Sequence, residues 1–358
     1  SIIKGLLESG IDVIDIGLQP TPLVAFATII TESHLGISVT ASHNPKEWNG
    51  FILNDEKGIT IGMNNGLEKI KEIFEKKEFE KLKSKKEGKL EKYNVEDKYI
   101  EFIRRKINFE SNLTVIIDAG NGNASEILPK ILKMYNKGNN IELFCRFDGN
   151  FPNRDPEPKK ENLSKLIEKV LIEKANVGFA YDGDADRILV VDDKGNVLFS
   201  HQILSVLMKS YGNKMRNKKV VVEVLTSLAA IEEIKKFGAK PIISKVGRSY
   251  IQSEMQKNKA ILGAEISYHF YFKDVFYLDD VIFATLKILE VLNSTNLKLS
   301  DLVKEVPIYP YESKRIPMDD SKKFRFVESL RDEFRDYKIE EIDGIKAWLY
   351  EENWICES

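Results

Sequence analysis

Tyr181-Asp182-Gly183-Asp184-Ala185-Asp186-Arg187 places three carboxylates at alternate positions between two short apolar runs, 177–180 and 188–191, that read as strands. In an extended segment alternate side chains project to the same side, so Asp182, Asp184 and Asp186 can converge on one point. Three anions that close repel one another unless a cation joins them. All-oxygen ligation suits a hard divalent ion, Mg²⁺ or Ca²⁺. The run is therefore expected to be a metal site on a strand-to-strand loop. A calcium EF-hand also begins with alternating aspartates, but it needs Gly at its sixth position and Glu at its twelfth. Here those positions hold Arg187 and Asp193, and the flanks are not helical. A solvated acidic turn fits the apolar flanks poorly. A phosphatase with an Asp nucleophile carries closely spaced aspartates too, so the run alone leaves the chemistry open.

On either side of this loop, strand and helix patterns alternate for about three hundred residues, which argues α/β layers with largely parallel strands. Upstream, 11–16 reads as a strand. Thr21-Pro22 fits a helix N-cap followed by Pro at the first helical position, opening a helix at 23–31. A strand at 35–40 ends at Ala41-Ser42-His43-Asn44-Pro45. The Lys/Glu-dense run at 67–92 reads as a solvated helix face and surface connection. A second unit has a helix at 95–107, a strand at 113–118, a Gly120-Asn121-Gly122 turn, a helix at 125–134 that Pro129 can kink, and a helix at 163–174. A third has helices at 203–211, 228–237 and 280–292 with strands at 220–224 and 241–244. The pattern then changes to strand, helix, strand, strand at 308–311, 324–334, 345–350 and 354–356. The expected fold is three similar α/β domains with mixed sheets (1–92, 93–199 and 200–305) and a small α+β C-terminal domain at 306–358. Ser1 lies within a helical pattern without a Met before it, and Cys356-Glu357-Ser358 follows directly on a strand-like run, so both ends read as cut.

The chain of 358 residues is too long for one hydrophobic core. With 54 Lys and Arg against 56 Asp and Glu, the net charge of −2 gives no electrostatic case for nucleic acid. No apolar run approaches the eighteen residues of a membrane helix. Cys145 and Cys356 are the only cysteines, which makes a disulfide framework implausible and points to a reducing cytoplasm. The start does not read as a signal peptide.

Three further stretches carry polar chemistry. Thr40-Ala41-Ser42-His43-Asn44-Pro45 ends a strand, where α/β sheets place ligands, and Pro45 forces Asn44 out of helix. Ser42 is a candidate nucleophile, but adjacent side chains in an extended chain point to opposite sides, so a direct Ser42–His43 dyad is not expected. In Gly263-Ala264-Glu265-Ile266-Ser267-Tyr268-His269 the acceptor Glu265, the hydroxyl of Ser267 and the imidazole of His269 alternate, a set that suits a polyhydroxyl ligand or a half-buried strand edge equally. Gly247-Arg248-Ser249-Tyr250 follows a strand and opens a helix, so its backbone amides can meet an anion. Asp118-Ala119-Gly120-Asn121-Gly122-Asn123 lacks both the dinucleotide glycine spacing and a Walker lysine, and reads as a structural turn.

Taken in this order, the motifs resemble those of the α-D-phosphohexomutases, the phosphomannomutase/phosphoglucomutase family. Thr40–Pro45 is similar to the family's active-site serine loop, Asp182–Arg187 to its Mg²⁺ loop, and Gly263–His269 to its sugar-specificity loop, usually Gly-Glu-Met-Ser-Gly-His. Gln19-Pro20-Thr21-Pro22 and Phe151-Pro152-Asn153-Arg154 match family punctuation, and the resemblance runs to about residue 300. It implies a cytoplasmic isomerase, monomeric or homodimeric, that moves phosphate between O1 and O6 of a mannose or glucose phosphate, with a hexose 1,6-bisphosphate as intermediate and activator. Phosphoglucosamine mutase, or an altered paralogue that binds sugar phosphates without efficient turnover, is the alternative. By this resemblance Ser42 carries the phosphoryl group. One Mg²⁺ per chain binds Asp182, Asp184, Asp186 and a phosphoryl oxygen on Ser42, and Arg187 contacts the same group. Glu265 and Ser267 bind sugar hydroxyls, His269 and His43 are candidates for phosphate or sugar contact and proton transfer, and Gly247 and Arg248 are read as further substrate-binding residues.

The chain departs from the family pattern at specific places. Many members have Asn-Gly-Phe-Lys after the serine loop; here Asn49-Gly50-Phe51-Ile52 replaces that acid/base candidate with an apolar side chain. Ile266 stands where phosphoglucosamine mutases usually have Gln, which leans toward glucose or mannose, and Tyr268 in place of Gly is expected to narrow the site. The family's N-terminal Arg loop and its final phosphate-gripping loop are not in the sequence, so the chain as given is expected to bind Mg²⁺ and turn over poorly.

Overall fold

The second and third units each end a parallel ladder in an antiparallel hairpin, the first has an antiparallel hairpin separate from its parallel strand pair, and each hairpin carries one of the polar loops. This arrangement comes from a computed structural model that describes residues 2–357 apart from 64, 79–83, 85, 315 and 351–353. In the second unit the strand order is Asn140–Leu143, Val115–Asp118, Val177–Tyr181, Ile188–Val191. The first three are parallel, and Val177–Tyr181 pairs antiparallel with Ile188–Val191, with Tyr181 opposite Ile188. Val115–Asp118, Val177–Tyr181 and Ile188–Val191 are buried throughout, the expected result of continuous apolar runs covered on both faces. The hairpin leaves residues 182–187 at the carboxyl end of the sheet, where α/β proteins place ligands.

The third unit repeats the design. Lys240–Ser244, Lys219–Glu223 and Leu262–Ala264 are parallel; Phe270–Phe272 and Leu278–Asp279 close the sheet antiparallel. Its hairpin holds 265–269. In the first unit Leu35–Val39 pairs antiparallel with Phe51–Asp55 around the serine loop, and Val13–Asp15 pairs parallel with Leu90–Lys92. A three-stranded antiparallel sheet, Lys338–Glu340, Ile345–Trp348 and Trp354–Glu357, forms the C-terminal unit with helix Asp320–Glu333. Asp343 Oδ2 accepts from Val246 N at 2.9 Å and Lys346 Nζ donates to Val224 O at 3.1 Å, which tie this unit to the third. Three α/β units with mixed sheets and a small C-terminal unit are thus the fold.

One apolar core runs from Leu23 to Val306 through all three α/β units. Helix Val281–Thr295 is buried around most of its surface because it lies inside that core. Helix Leu67–Glu75 has no buried residue, which suits the Lys/Glu-dense run; its continuation at 79–83 and 85 lies outside the described residues. Among the described residues no helix is long and apolar enough to cross a membrane.

Two local expectations fail. Thr21 does not cap its helix. Pro20 occupies the N-cap in helix Thr21–Ile30, and the Thr21 hydroxyl goes to a carboxylate of the second unit, which is the stronger acceptor. Residues 308–311 form no strand. His201 Nε2 donates to Pro307 O at 3.0 Å and Tyr309 Oη reaches Glu232 at 2.8 Å, so side chains rather than a ladder hold this segment. The strand Lys338–Glu340 was not legible, because Lys-Ile-Glu carries one apolar residue among charges.

Candidate active site

The three aspartates of residues 182–187 converge, but not by pleating. Ala185 sits at φ 57°, so a tight turn gathers them, and one oxygen from each lies within 4.8 Å of the others. All three are buried. The protein treats their oxygens unequally. Asp182 Oδ1 accepts from the N–H groups of Asp186 and Arg187 at 3.0 and 3.1 Å. Asp184 Oδ2 accepts from the hydroxyls of Thr21 and Thr40 at 2.8 and 2.9 Å. Among the described residues the remaining oxygens, Asp182 Oδ2 and Asp184 Oδ1, have no hydrogen-bond partner. Asp186 has both oxygens engaged, Oδ1 with His269 Nε2 at 3.2 Å and Oδ2 with the guanidinium of Arg248.

The electrostatics follow. Burial, then the charges of Asp186 and Asp184, raise Asp182 well above the ordinary carboxylate range. Burial and Asp186 push Asp184 up to about 6. Burial opposes ionisation of Asp186, yet Arg248 and His269 hold it well below that range. Two buried carboxylates with a free oxygen each, next to a third held ionised, fit a hard divalent cation. Arg187 lies 3.8 Å from both Asp182 and Glu157, and its buried Nε, which faces Asp182 Oδ2, makes no hydrogen bond among the described residues.

The serine loop closes over this cluster. Gly183 has no side chain for a reason: a Cβ there would lie 2.8 Å from Ser42 O. Ser42 adopts φ 55°, so the chain at this point is not extended. Its Oγ therefore comes within 3.1 Å of His43 Nδ1, forming the contact that an extended chain would forbid. Burial first, and Arg187 second, lower the His43 pKa and favour its neutral form. Ile52 lies in strand Phe51–Asp55 opposite Ser38 and brings no titratable group.

In the third hairpin Glu265, Ser267 and His269 face one way and bond to each other. Ser267 Oγ lies 2.9 Å from His269 Nδ1 and 3.4 Å from Glu265 Oε2, and Tyr271 Oη donates to Glu265 Oε1. Behind them Glu223 accepts from Ile266 N at 2.6 Å; burial and Glu265 push its pKa to about 7. Ile266 itself is exposed. Tyr268 does not narrow the site as expected. At φ 71° its ring packs into the apolar cores, and its carbonyl accepts from Ile188 N at 3.2 Å.

Gly247, at φ 115°, opens helix Arg248–Asn258. The Arg248 side chain is 13% exposed and bridges Asp186 and Asp279, the latter at 2.8 Å, so its charge is spent on carboxylates. The turn at 118–123 is structural: Arg154 Nε meets both oxygens of Asp118 at 3.0 and 3.1 Å, and its Nη2 donates to Tyr181 O at 2.6 Å beneath the metal loop. Thr21, Thr40, Asp279, Asp118 and Arg154 were missed as site residues. Thr21 and Thr40 stand inside the quoted motifs, but their partner is 163 and 144 residues away, which no local spacing reveals.

Comparison with known proteins finds three family domains in succession along the chain. Residues 1–81, 97–195 and 199–309 match phosphoglucomutase/phosphomannomutase α/β/α domains I, II and III respectively. A phosphomannomutase/phosphoglucomutase of Pseudomonas syringae pv. tomato is 34% identical over 99% of this chain and 75% of its own length. A probable phosphoglucosamine mutase of Pyrococcus abyssi is also 34% identical, over 97% of this chain and 77% of its own. The crystal structure of a phosphoglucomutase/phosphomannomutase family protein from Burkholderia thailandensis superposes with a TM-score of 0.83 at 29% identity, covering 97% of this chain and 76% of that one.

Proposed function

The chain belongs to the phosphoglucomutase/phosphomannomutase family, and we propose how its site performs the phosphohexomutase isomerisation of that family. Ser42 carries the phosphoryl group at rest. A hexose monophosphate places its free hydroxyl, O6 or O1, against that phosphorus. The P–Oγ bond to Ser42 breaks as the P–O bond to the sugar forms, giving a hexose 1,6-bisphosphate. The sugar turns over in the site, and its other phosphate returns to Ser42.

The proton lost by the sugar hydroxyl goes to a neutral imidazole, which hands it to Ser42 Oγ as that oxygen leaves, and the reverse exchange accompanies return of the second phosphate. His43 beside Ser42 is kept neutral by burial and by Arg187, which suits it to that task. Arg187 is placed to contact the phosphoryl oxygens. Glu265, Ser267 and His269 hold sugar hydroxyls or the second phosphate. Asp182, Asp184 and Asp186 would hold Mg²⁺, which offsets charge on the phosphoryl group when bound. The observation that carries this reading is the pair of buried carboxylate oxygens, Asp182 Oδ2 and Asp184 Oδ1, that make no hydrogen bond among the described residues and flank Gly183, which packs against Ser42 O.

The substrate reading is mannose or glucose phosphate, supported by the relatives so named and by the exposed apolar Ile266 in the sugar loop. Phosphoglucosamine is the second reading, favoured by the Pyrococcus relatives. ³¹P NMR of the protein with Mg²⁺, a trace of glucose 1,6-bisphosphate and each hexose 1-phosphate in turn separates them. Growth of the 6-phosphate signal from mannose or glucose 1-phosphate is expected. Conversion of glucosamine 1-phosphate alone would select the second reading, and inorganic phosphate appearing in place of isomer would point to the altered paralogue.

A further inference from the structure

One hydroxyl joins the serine loop to the metal carboxylates. Thr40 Oγ1 accepts from Ser42 N at 2.7 Å and donates to Asp184 Oδ2 at 2.9 Å. A hydroxyl has a single hydrogen, so these two bonds fix its direction. The Ser42 N–H points in, and the hydrogen points on to the carboxylate. Thr21 Oγ1 donates to the same oxygen at 2.8 Å, and Thr21 N donates to Asp184 O at 3.0 Å.

Two consequences follow. Asp184 cannot rotate without breaking two hydrogen bonds to a buried charged group, so Oδ1, which has no partner among the described residues, stays turned into the cluster. Ser42 also occupies φ 55°, a region unfavourable for a residue with a Cβ, and it persists there only if its surroundings hold it. The bond from its N–H to Thr40 is one such restraint.

We propose that Thr40 is a positioning residue for phosphoryl transfer: it aims Asp184 Oδ1 at the divalent ion and seats Ser42 through the same hydroxyl, so that ion loading and presentation of Ser42 are coupled. This rests on the reading of Ser42 as the phosphoryl carrier. Thr21 serves only the first half, because it touches Asp184 and not Ser42.

Isosteric Thr40→Val removes both hydrogen bonds, and Thr40→Ser keeps them. Mg²⁺ affinity is read by isothermal titration calorimetry. Phosphoryl uptake from glucose 1,6-bisphosphate is read by timed intact mass at saturating Mg²⁺. Thr40→Val is expected to weaken Mg²⁺ binding about ten- to a hundredfold, the range for partners that orient metal ligands, and to slow uptake even at saturation. Thr40→Ser should retain both wild-type values. Thr21→Val should lose Mg²⁺ affinity, and it serves as the test of the Asp184 arm if Thr40→Val does not fold. Wild-type affinity and uptake in Thr40→Val would overturn the proposal, as would wild-type Mg²⁺ affinity in Thr21→Val. Mg²⁺ binding without uptake in the wild-type protein would instead count against Ser42 as the carrier, while the affinity comparison still judged the Thr40–Asp184 arm.

Discussion

His269 Nε2 lies 3.2 Å from Asp186 Oδ1, so the hairpin of the third unit is hydrogen-bonded to the aspartate cluster of the second. Burial disfavours the charged imidazole, yet Asp186 raises the His269 pKa, and His269 in turn helps to keep Asp186 ionised.

Asp182→Asn keeps the acceptor for the Asp186 and Arg187 N–H groups and removes one of three crowded charges. Without metal the variant should melt no lower than wild type. With Mg²⁺ at a hundred times the dissociation constant, wild type should gain about 2.7 kcal/mol and the variant far less. Differential scanning calorimetry in chelator and in Mg²⁺ reads both. Equal gains would remove Asp182 from the ligand set.

Arg248 is the cation that accompanies Asp186 and Asp279. Arg248→Gln leaves buried carboxylates without that partner, a class of change that costs about 3–5 kcal/mol. Urea unfolding of the metal-free variant should show that loss, and Mg²⁺ should restore more stability to it than to wild type. A variant as stable as wild type without Mg²⁺ would mean that Arg248 is not holding the cluster together.

Asp280 gives a pH signature of its own. It caps helix Val281–Thr295 by accepting from Phe283 N at 2.8 Å, and Tyr99 Oη donates to its other oxygen at 2.7 Å. Burial pushes its pKa up to about 6, so the folded state binds a proton more tightly than the unfolded chain. The stabilisation is full below the unfolded value near 4 and is lost as pH rises through about 6, roughly 3 kcal/mol at 1.36 kcal/mol per pKa unit. Asp280→Asn cannot titrate, so its stability relative to wild type should rise between pH 4 and 7. A constant difference across that range would place the Asp280 pKa near its unfolded value.

Arg154 holds the floor of the metal loop. Its side chain is 2% exposed and bonds Asp118 and the carbonyls of Asp155 and Tyr181. Arg154→Met should destabilise the protein by about 3–5 kcal/mol in urea, because Asp118 is left buried and unpaired. A loss under about 1 kcal/mol, the scale of surface pairs, would show that the ion pair is solvated.

Much of this was legible because the signals are local. Continuous apolar runs marked Val115–Asp118, Val177–Tyr181 and Ile188–Val191, and alternation marked Asp182, Asp184, Asp186, Glu265, Ser267 and His269. Reasoning from extended geometry failed where the backbone leaves that region. Ser42 at φ 55° meets His43, and Tyr268 at φ 71° turns into the core. The hydroxyls of Thr21 and Thr40 and the ion pair of Arg248 with Asp186 were illegible, because each joins segments brought together only by packing of the hairpins.

Intact mass after incubation with glucose 1,6-bisphosphate and Mg²⁺, with Ser42→Ala alongside, decides whether Ser42 carries phosphate. A gain of one phosphoryl group in the wild-type chain and none in Ser42→Ala is expected. An equal gain in both, or none in folded wild-type protein that binds Mg²⁺, would contradict the phosphoserine mechanism.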